Sequence, residues 1–99
     1  MENPLRPDQS ERDKIEKSFF KDGRLTELPA QRKKRIVVLE HLLQAFELER
    51  DYTELEVNGI LKQFHPDVAT LRREFIDVKM MTRAAGVYRR ISGYQSPPL

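Results

Sequence analysis

YTELEVNGILKQFHPDVATLRREFIDVKMMTRAAGVYRRI, residues Tyr52 to Ile91, is the stretch from which the fold can be read. Thr53 followed three residues later by Glu56 makes a capping box, in which each side chain accepts from the other's backbone amide at a helix start. Tyr52, just before the cap, is placed to pack on Val57 as a hydrophobic staple. Val57, Ile60, Leu61 and Phe64 recur at i, i+3, i+4 and i+7, the apolar face of one helix. Gly59 lowers its propensity by about 1 kcal/mol without breaking the pattern. His65-Pro66 ends the helix, because the residue before a proline disfavours helical backbone. Asp67 caps the next one, where Val68, Leu71, Phe75 and Val78 share a side, Ala69, Thr70, Arg73 and Asp77 lie opposite, and Arg72 sits at the flank.

Met80 to Arg83 and Val87 to Ile91 then flank Ala84-Ala85-Gly86. β-Branched and aromatic residues around a loop that ends in glycine predict a β-hairpin with a three-residue, bulged connection. Val87, Arg89 and Ile91 share one strand face and Tyr88 and Arg90 the other, so one arginine faces water whichever side is buried. Helix, tight turn, helix and hairpin is the order of a winged-helix fold. The expected class is α+β, mainly α: an N-terminal helix, a three-helix core and a C-terminal hairpin wing.

Working back toward the N-terminus, Glu47 to Asp51 is an acidic connection, and before it Pro29 marks the start of a long helix. Ile36, Leu39, Leu43 and Phe46 form its apolar stripe, widened by Leu42. Its first turns carry Arg32-Lys33-Lys34-Arg35, although cations near a helix N-terminus oppose the macrodipole by about 0.3–1 kcal/mol each. Two readings stay open for this run: contact with phosphates or an acidic partner, or side chains splayed into water and paired with Glu27 or Glu40. Further back, Leu25 and Leu28 belong to an extended or irregular link that follows the Asp22-Gly23 turn and docks its leucines on the core. Ser10 is the expected cap of a short helix anchored by Ile15, Phe19 and Phe20. A single domain is expected over residues 10–91, with a flexible arm at 1–9 and a flexible tail at 92–99.

Composition narrows the function classes. With 34% charged and 38% hydrophobic residues the chain is globular in composition. The absence of cysteine excludes a disulfide framework, a thiol nucleophile and every cysteine zinc site. The longest aliphatic run, Ile36 to Leu39, falls far short of the roughly 20 residues of a membrane span, so a soluble, cytoplasmic protein is expected. No nucleophile elbow, phosphate-binding glycine loop or metalloprotease helix occurs, and no enzyme activity, metal or cofactor is expected. His65 and Asp67 flank a turn, where a structural or capping role outweighs metal binding for lack of further ligands. The net charge of +2 is segregated: basic from Arg24 to Arg35, acidic from Glu40 to Glu56, and basic again from Thr70 onward.

Several segments together resemble a bacterial domain of unknown function, the family numbered 2087. They are Asp22-Gly23-Arg24-Leu25 through Pro29, Gln31-Arg32-Lys33-Lys34 with Val38-Leu39-Glu40, Tyr52-Thr53-Glu54 with Glu56-Val57-Asn58, and Leu71-Arg72-Arg73-Glu74 with Asp77. The resemblance spans about Phe19 to Arg90. It implies a winged-helix-like domain that occurs alone or behind the DNA-binding domains of transcription regulators. The chain departs from that family at the hairpin, where a longer aspartate-glycine loop and often a tryptophan after Tyr88 are expected.

Two functions are therefore carried forward. In a helix-turn-helix the second helix enters the major groove by its N-terminal residues, which makes Thr70 and Arg73 the candidates for base edges. Arg72, Arg83, Arg89 and Arg90, together with Arg32 and Lys33, are the candidates for phosphates of double-stranded DNA. The alternative is a non-enzymatic interaction or effector module of the same shape, which meets a regulatory protein through the acidic Glu47–Glu56 surface or the basic start of the central helix. A homodimer is the usual way for so small a reader to cover a longer site.

Overall fold

The computed structural model describes residues 8–97. The chain forms a small α+β domain, roughly half helical, with four helices and two small antiparallel sheets among these residues. Their order is α1 (Asp8–Phe19), β1 (Phe20–Lys21), β2 (Arg24–Leu25), α2 (Arg32–Leu43), β3 (Asp51–Thr53), α3 (Glu54–Lys62), α4 (Val68–Asp77), β4 (Met81–Ala84) and β5 (Val87–Arg90). All but the last two residues of the expected N-terminal arm lie outside the described residues; Asp8 and Gln9 already belong to α1, so Ser10 sits inside that helix instead of capping it.

The central helix is α2. Ile36, Val37, Val38 and Leu39 are each at most 2% exposed. Four consecutive buried residues cover a full helical turn, so the middle of α2 is enclosed on all sides and has no single apolar stripe, while its first turn is exposed at Arg32 and Lys34. α1 packs on one side of it and α4 on another. The helix starts at Arg32, three residues later than Pro29 suggests, and its hydrogen bonding tightens past Leu43, where Phe46 N donates to Leu43 O at 3.0 Å. Phe46 is buried beyond the helix end, against Phe75 with ring centroids 6.0 Å apart.

The expected capping box is formed. Thr53 N donates to Glu56 Oε1 at 2.8 Å, and Glu56 N donates to Thr53 Oγ1 at 3.1 Å. Val57 and Leu61 are buried, with Ile60 and Phe64 partly buried against the same core. The C-terminal carbonyls of α3, which lack partners within a helix, are met by the first hairpin: Leu25 N donates to Phe64 O and Arg24 Nη1 to Gln63 O, both at 2.9 Å. The Leu25 segment is therefore the extended form of the expected link, a strand end that also caps α3, with Leu25 buried in the core.

Asp67 caps α4 as expected, accepting from Thr70 N at 3.3 Å, and its own amide donates to His65 Nδ1 at 3.0 Å. Leu71 and Phe75 form the buried face of this helix. α4 closes with Lys79 in the left-handed region (φ 61°) and two bonds, Lys79 N to Ile76 O at 3.1 Å and Met80 N to Phe75 O at 2.9 Å, the Schellman pattern.

The three-stranded sheet has the order β3-β5-β4. β3 was not foreseen; its Tyr52 lies opposite Tyr88 and its Thr53 opposite Val87. Ala84 pairs with Val87, so the hairpin loop is the two-residue Ala85-Gly86, with φ of 50° and 77°, and not a three-residue bulge. Two successive positive φ angles mark a type I′ turn, whose twist matches that of the strands. Residues of the expected C-terminal tail are docked on the body: the Tyr94 hydroxyl donates to Glu40 Oε2 at 2.6 Å and Ser96 Oγ accepts from Arg12. No helix among the described residues is long and apolar enough to cross a membrane.

Candidate nucleic-acid interface

The candidate residues fall in three separate places. The first is a cleft of about 280 Å³ between α4 and the β4–β5 hairpin, lined by Arg72, Arg73 and Arg83 together with Glu54, Asp77 and Tyr88. The second is the far end of the sheet, with Arg89 and Arg90. The third is the junction of α1 and α2, with Lys33 and Lys34.

Within the cleft the three arginines are held differently. Arg72 reaches from α4 to α3, donates from Nη1 to Asn58 Oδ1, and lies 3.9 Å from Glu54 Oε2. Its side chain is 18% exposed, and Nε is buried without a hydrogen-bond partner. Arg83, from the hairpin, stands over the Tyr88 ring at 5.8 Å and 4.0 Å from Glu54 Oε1, and its side chain makes no hydrogen bond among the described residues. Arg73 is exposed and makes neither an ion pair nor a hydrogen bond among the described residues. Thr70 is half-buried, with its amide engaged by Asp67.

Elsewhere the expected contacts are taken up internally. Arg90 turns inward and donates from Nη1 to Phe46 O at 2.9 Å. Arg89 is the outward-facing arginine of β5, but its Nε lies 3.3 Å from Asp51 Oδ1, its register partner, and its Nη2 donates to Glu49 O at 3.1 Å. Lys33 pairs with Glu11 at 2.5 Å. Arg35 meets Glu74 at 2.9 Å and donates to Ala30 O at 2.7 Å, so Lys33 and Arg35 take Glu11 and Glu74 instead of Glu27 or Glu40. Arg32 is exposed and makes no ion pair among the described residues.

Sequence reasoning missed Glu54 and Tyr88 as members of the cleft, and Asn58 as the partner that holds Arg72. Glu54 had an adequate local explanation as a helix-start acid. Tyr88 donates from its hydroxyl to Glu54 Oε1 at 3.2 Å, an arrangement that depends on β3 delivering α3 to the end of β5. The alternation of β5 marked Tyr88 as a possible inward residue, but no local pattern pointed to Asn58.

A family model described as an uncharacterized protein conserved in bacteria (DUF2087) matches residues 24–90. No curated protein and no solved structure matches the chain.

Proposed function

Since the chain belongs to the DUF2087 family of bacteria, we propose that it is a winged-helix-type protein that binds nucleic acid or regulates transcription. The order α2, β3, α3, α4, β4, β5, with β3 joining the hairpin in one sheet, supports the winged-helix reading. The observation that carries the functional one is the shared cleft of Arg73 and Arg83. One guanidinium comes from the outer face of the second helix and the other from the hairpin, and neither hydrogen bonds to another group among the described residues. In helix-turn-helix proteins the second helix supplies base contacts, and basic residues around it engage phosphates.

This contact set is narrower than the sequence indicates: Arg73 and Arg83 with Thr70 on α4, and Arg32 as an outlying phosphate contact. Arg72 serves from within the cleft, while Arg89, Arg90 and Lys33 hold the fold. With about three phosphates engaged, log affinity falls with log salt at a slope near −2.7. Fluorescence anisotropy of a labelled random duplex at low and near-physiological salt tests this. Salt-sensitive binding in the ~10⁻⁴–10⁻⁶ M range is expected, and no binding at low salt overturns the reading.

A second reading rests on Leu55, which is 81% exposed on the first turn of α3 between Glu54 and Glu56. An isolated apolar side chain on an acidic surface suits a protein partner with basic flanks. If this surface is the functional one, Leu55→Asp abolishes capture of a stoichiometric partner and leaves duplex binding unchanged.

A further inference from the structure

The cleft between α4 and the β4–β5 hairpin contains a carboxylate where a bound anion would sit. Glu54 Oε1 accepts from the Tyr88 hydroxyl at 3.2 Å and lies 4.0 Å from Arg83 Nη2, while Oε2 lies 3.9 Å from Arg72 Nη2. We propose that Glu54 is a built-in competitor for phosphate: it occupies the anion position between Arg72 and Arg83, and a phosphate group displaces it. The proposal rests on the nucleic-acid reading for its physiological ligand, and on geometry for the site itself.

Three observations point the same way. First, separations of 3.9 and 4.0 Å place charges together without hydrogen bonds. Both guanidiniums therefore keep unfilled donors toward Glu54, and the buried Arg72 Nε has no acceptor at all. A tetrahedral anion offers more acceptor oxygens than a carboxylate and matches the forked donors of arginine. Second, Glu54 can leave at the cost of one hydrogen bond, from the buried Tyr88. The Glu54 side chain is 46% exposed, and Glu54 is the first residue of α3, so a rotated carboxylate still lies at the positive end of the helix. Third, the charge balance of the cleft depends on it. Three arginines face Glu54 and Asp77, and neutralising Glu54 leaves two positive charges uncompensated in place of one.

The test titrates wild type and Glu54→Gln with inorganic phosphate at fixed ionic strength, following the Nε–Hε NMR signals of Arg72 and Arg83. The same proteins are then titrated against a labelled random duplex by anisotropy. The glutamine variant should take phosphate about fivefold more tightly, the worth of one partly exposed charge pair, with both arginine signals moving. Its duplex affinity should rise in step, with a salt slope steeper by about 0.9, one phosphate more. Glu54→Asp, which retains the charge, should stay close to wild type, and circular dichroism melts establish that each variant is folded. Equal phosphate affinity in wild type and Glu54→Gln, or no movement of either arginine signal, overturns the proposal whatever the duplex does. Tightened phosphate binding with no duplex binding by either protein overturns the nucleic-acid reading and leaves the anion cleft standing.

Discussion

Tyr52 and Tyr88 lie directly opposite each other across the β3–β5 pair, 2% and 3% exposed, with their hydroxyls turned to different elements. Tyr52 Oη accepts from the Glu47 amide at 2.8 Å, while Tyr88 Oη donates to Glu54 at 3.2 Å. The pair thus ties the sheet both to the loop after α2 and to the start of α3. Tyr52 also stands edge-on to Phe46, with centroids 5.2 Å apart. Tyr52→Phe should lower stability by about 1 kcal/mol, the net worth of one hydrogen bond. Tyr52→Ala should cost about 3–5 kcal/mol by opening a core cavity. Urea denaturation of both variants measures the difference.

The two hairpins solve the same turn with different residues. Both loops have two positive φ angles: Asp22 (53°) and Gly23 (80°) in the first, Ala85 (50°) and Gly86 (77°) in the second. Aspartate and asparagine tolerate the left-handed region through local hydrogen bonding, whereas the alanine Cβ is crowded there. Ala85→Asn should therefore raise stability by roughly 0.5–1 kcal/mol, and Asp22→Ala should lower it by a similar amount. The urea midpoint should move in opposite directions for the two, with the slope unchanged.

Local chemistry made the helices of the Tyr52–Ile91 stretch legible. The capping box at Thr53, the stop at Pro66 and the apolar face of α4 are each decided within a few residues of chain. The first hairpin and β3 were not legible, since two- and three-residue strands carry too little alternation to register. Val37 and Val38 were missed because periodicity assumes one buried side, and α2 is covered by both α1 and α4. The candidate site was half legible for a related reason. Sequence shows which residues are charged, but only the fold shows which charges already have partners, and Phe46 O and Asn58 Oδ1 had taken Arg90 and Arg72.

Two helix-cap carboxylates give an acid limb. Glu56 is held below the usual glutamate range first by the Thr53 amide and then by its hydroxyl, and Asp67 below the usual aspartate range by hydrogen bonding from Thr70. A depressed folded value means that the carboxylate form favours folding. That stability is present above the ordinary carboxylate values near 4 and is lost as pH falls through the depressed ones. Melting temperature should decline below about pH 4. Glu56→Gln, which keeps an oxygen for the Thr53 amide, should flatten the decline; an unchanged limb would remove Glu56 from the account.

At the alkaline end the marker is Tyr94. Burial, followed by its hydrogen bond to Glu40, raises its phenol well above the ordinary range. The neutral phenol favours folding, so this contribution is intact below about pH 10 and is lost as pH climbs through the raised value. Ultraviolet titration should show a late-ionising step that Tyr94→Phe removes.

Arg90 and Arg73, both candidate contacts on sequence grounds, are held differently: the first is taken up by the fold and the second is exposed. Arg90 donates to the Phe46 carbonyl at 2.9 Å, a charge-assisted bond at the junction of β5 and the loop after α2. Arg90→Ala should lower stability by about 1.5 kcal/mol, with duplex affinity unchanged at temperatures where both proteins are folded. Arg73→Ala should do the reverse. An exposed side chain with neither an ion pair nor a hydrogen bond among the described residues leaves stability within about 0.5 kcal/mol of wild type, while its loss should weaken duplex binding, at preferred sites more than at random ones. Arg83→Ala, at a phosphate contact, should weaken all duplexes alike and make the salt slope shallower by about 0.9. Should folded Arg90→Ala bind weakly while Arg73→Ala binds normally, the contact surface would move to the far end of the sheet, and the cleft would lose its role in nucleic-acid recognition.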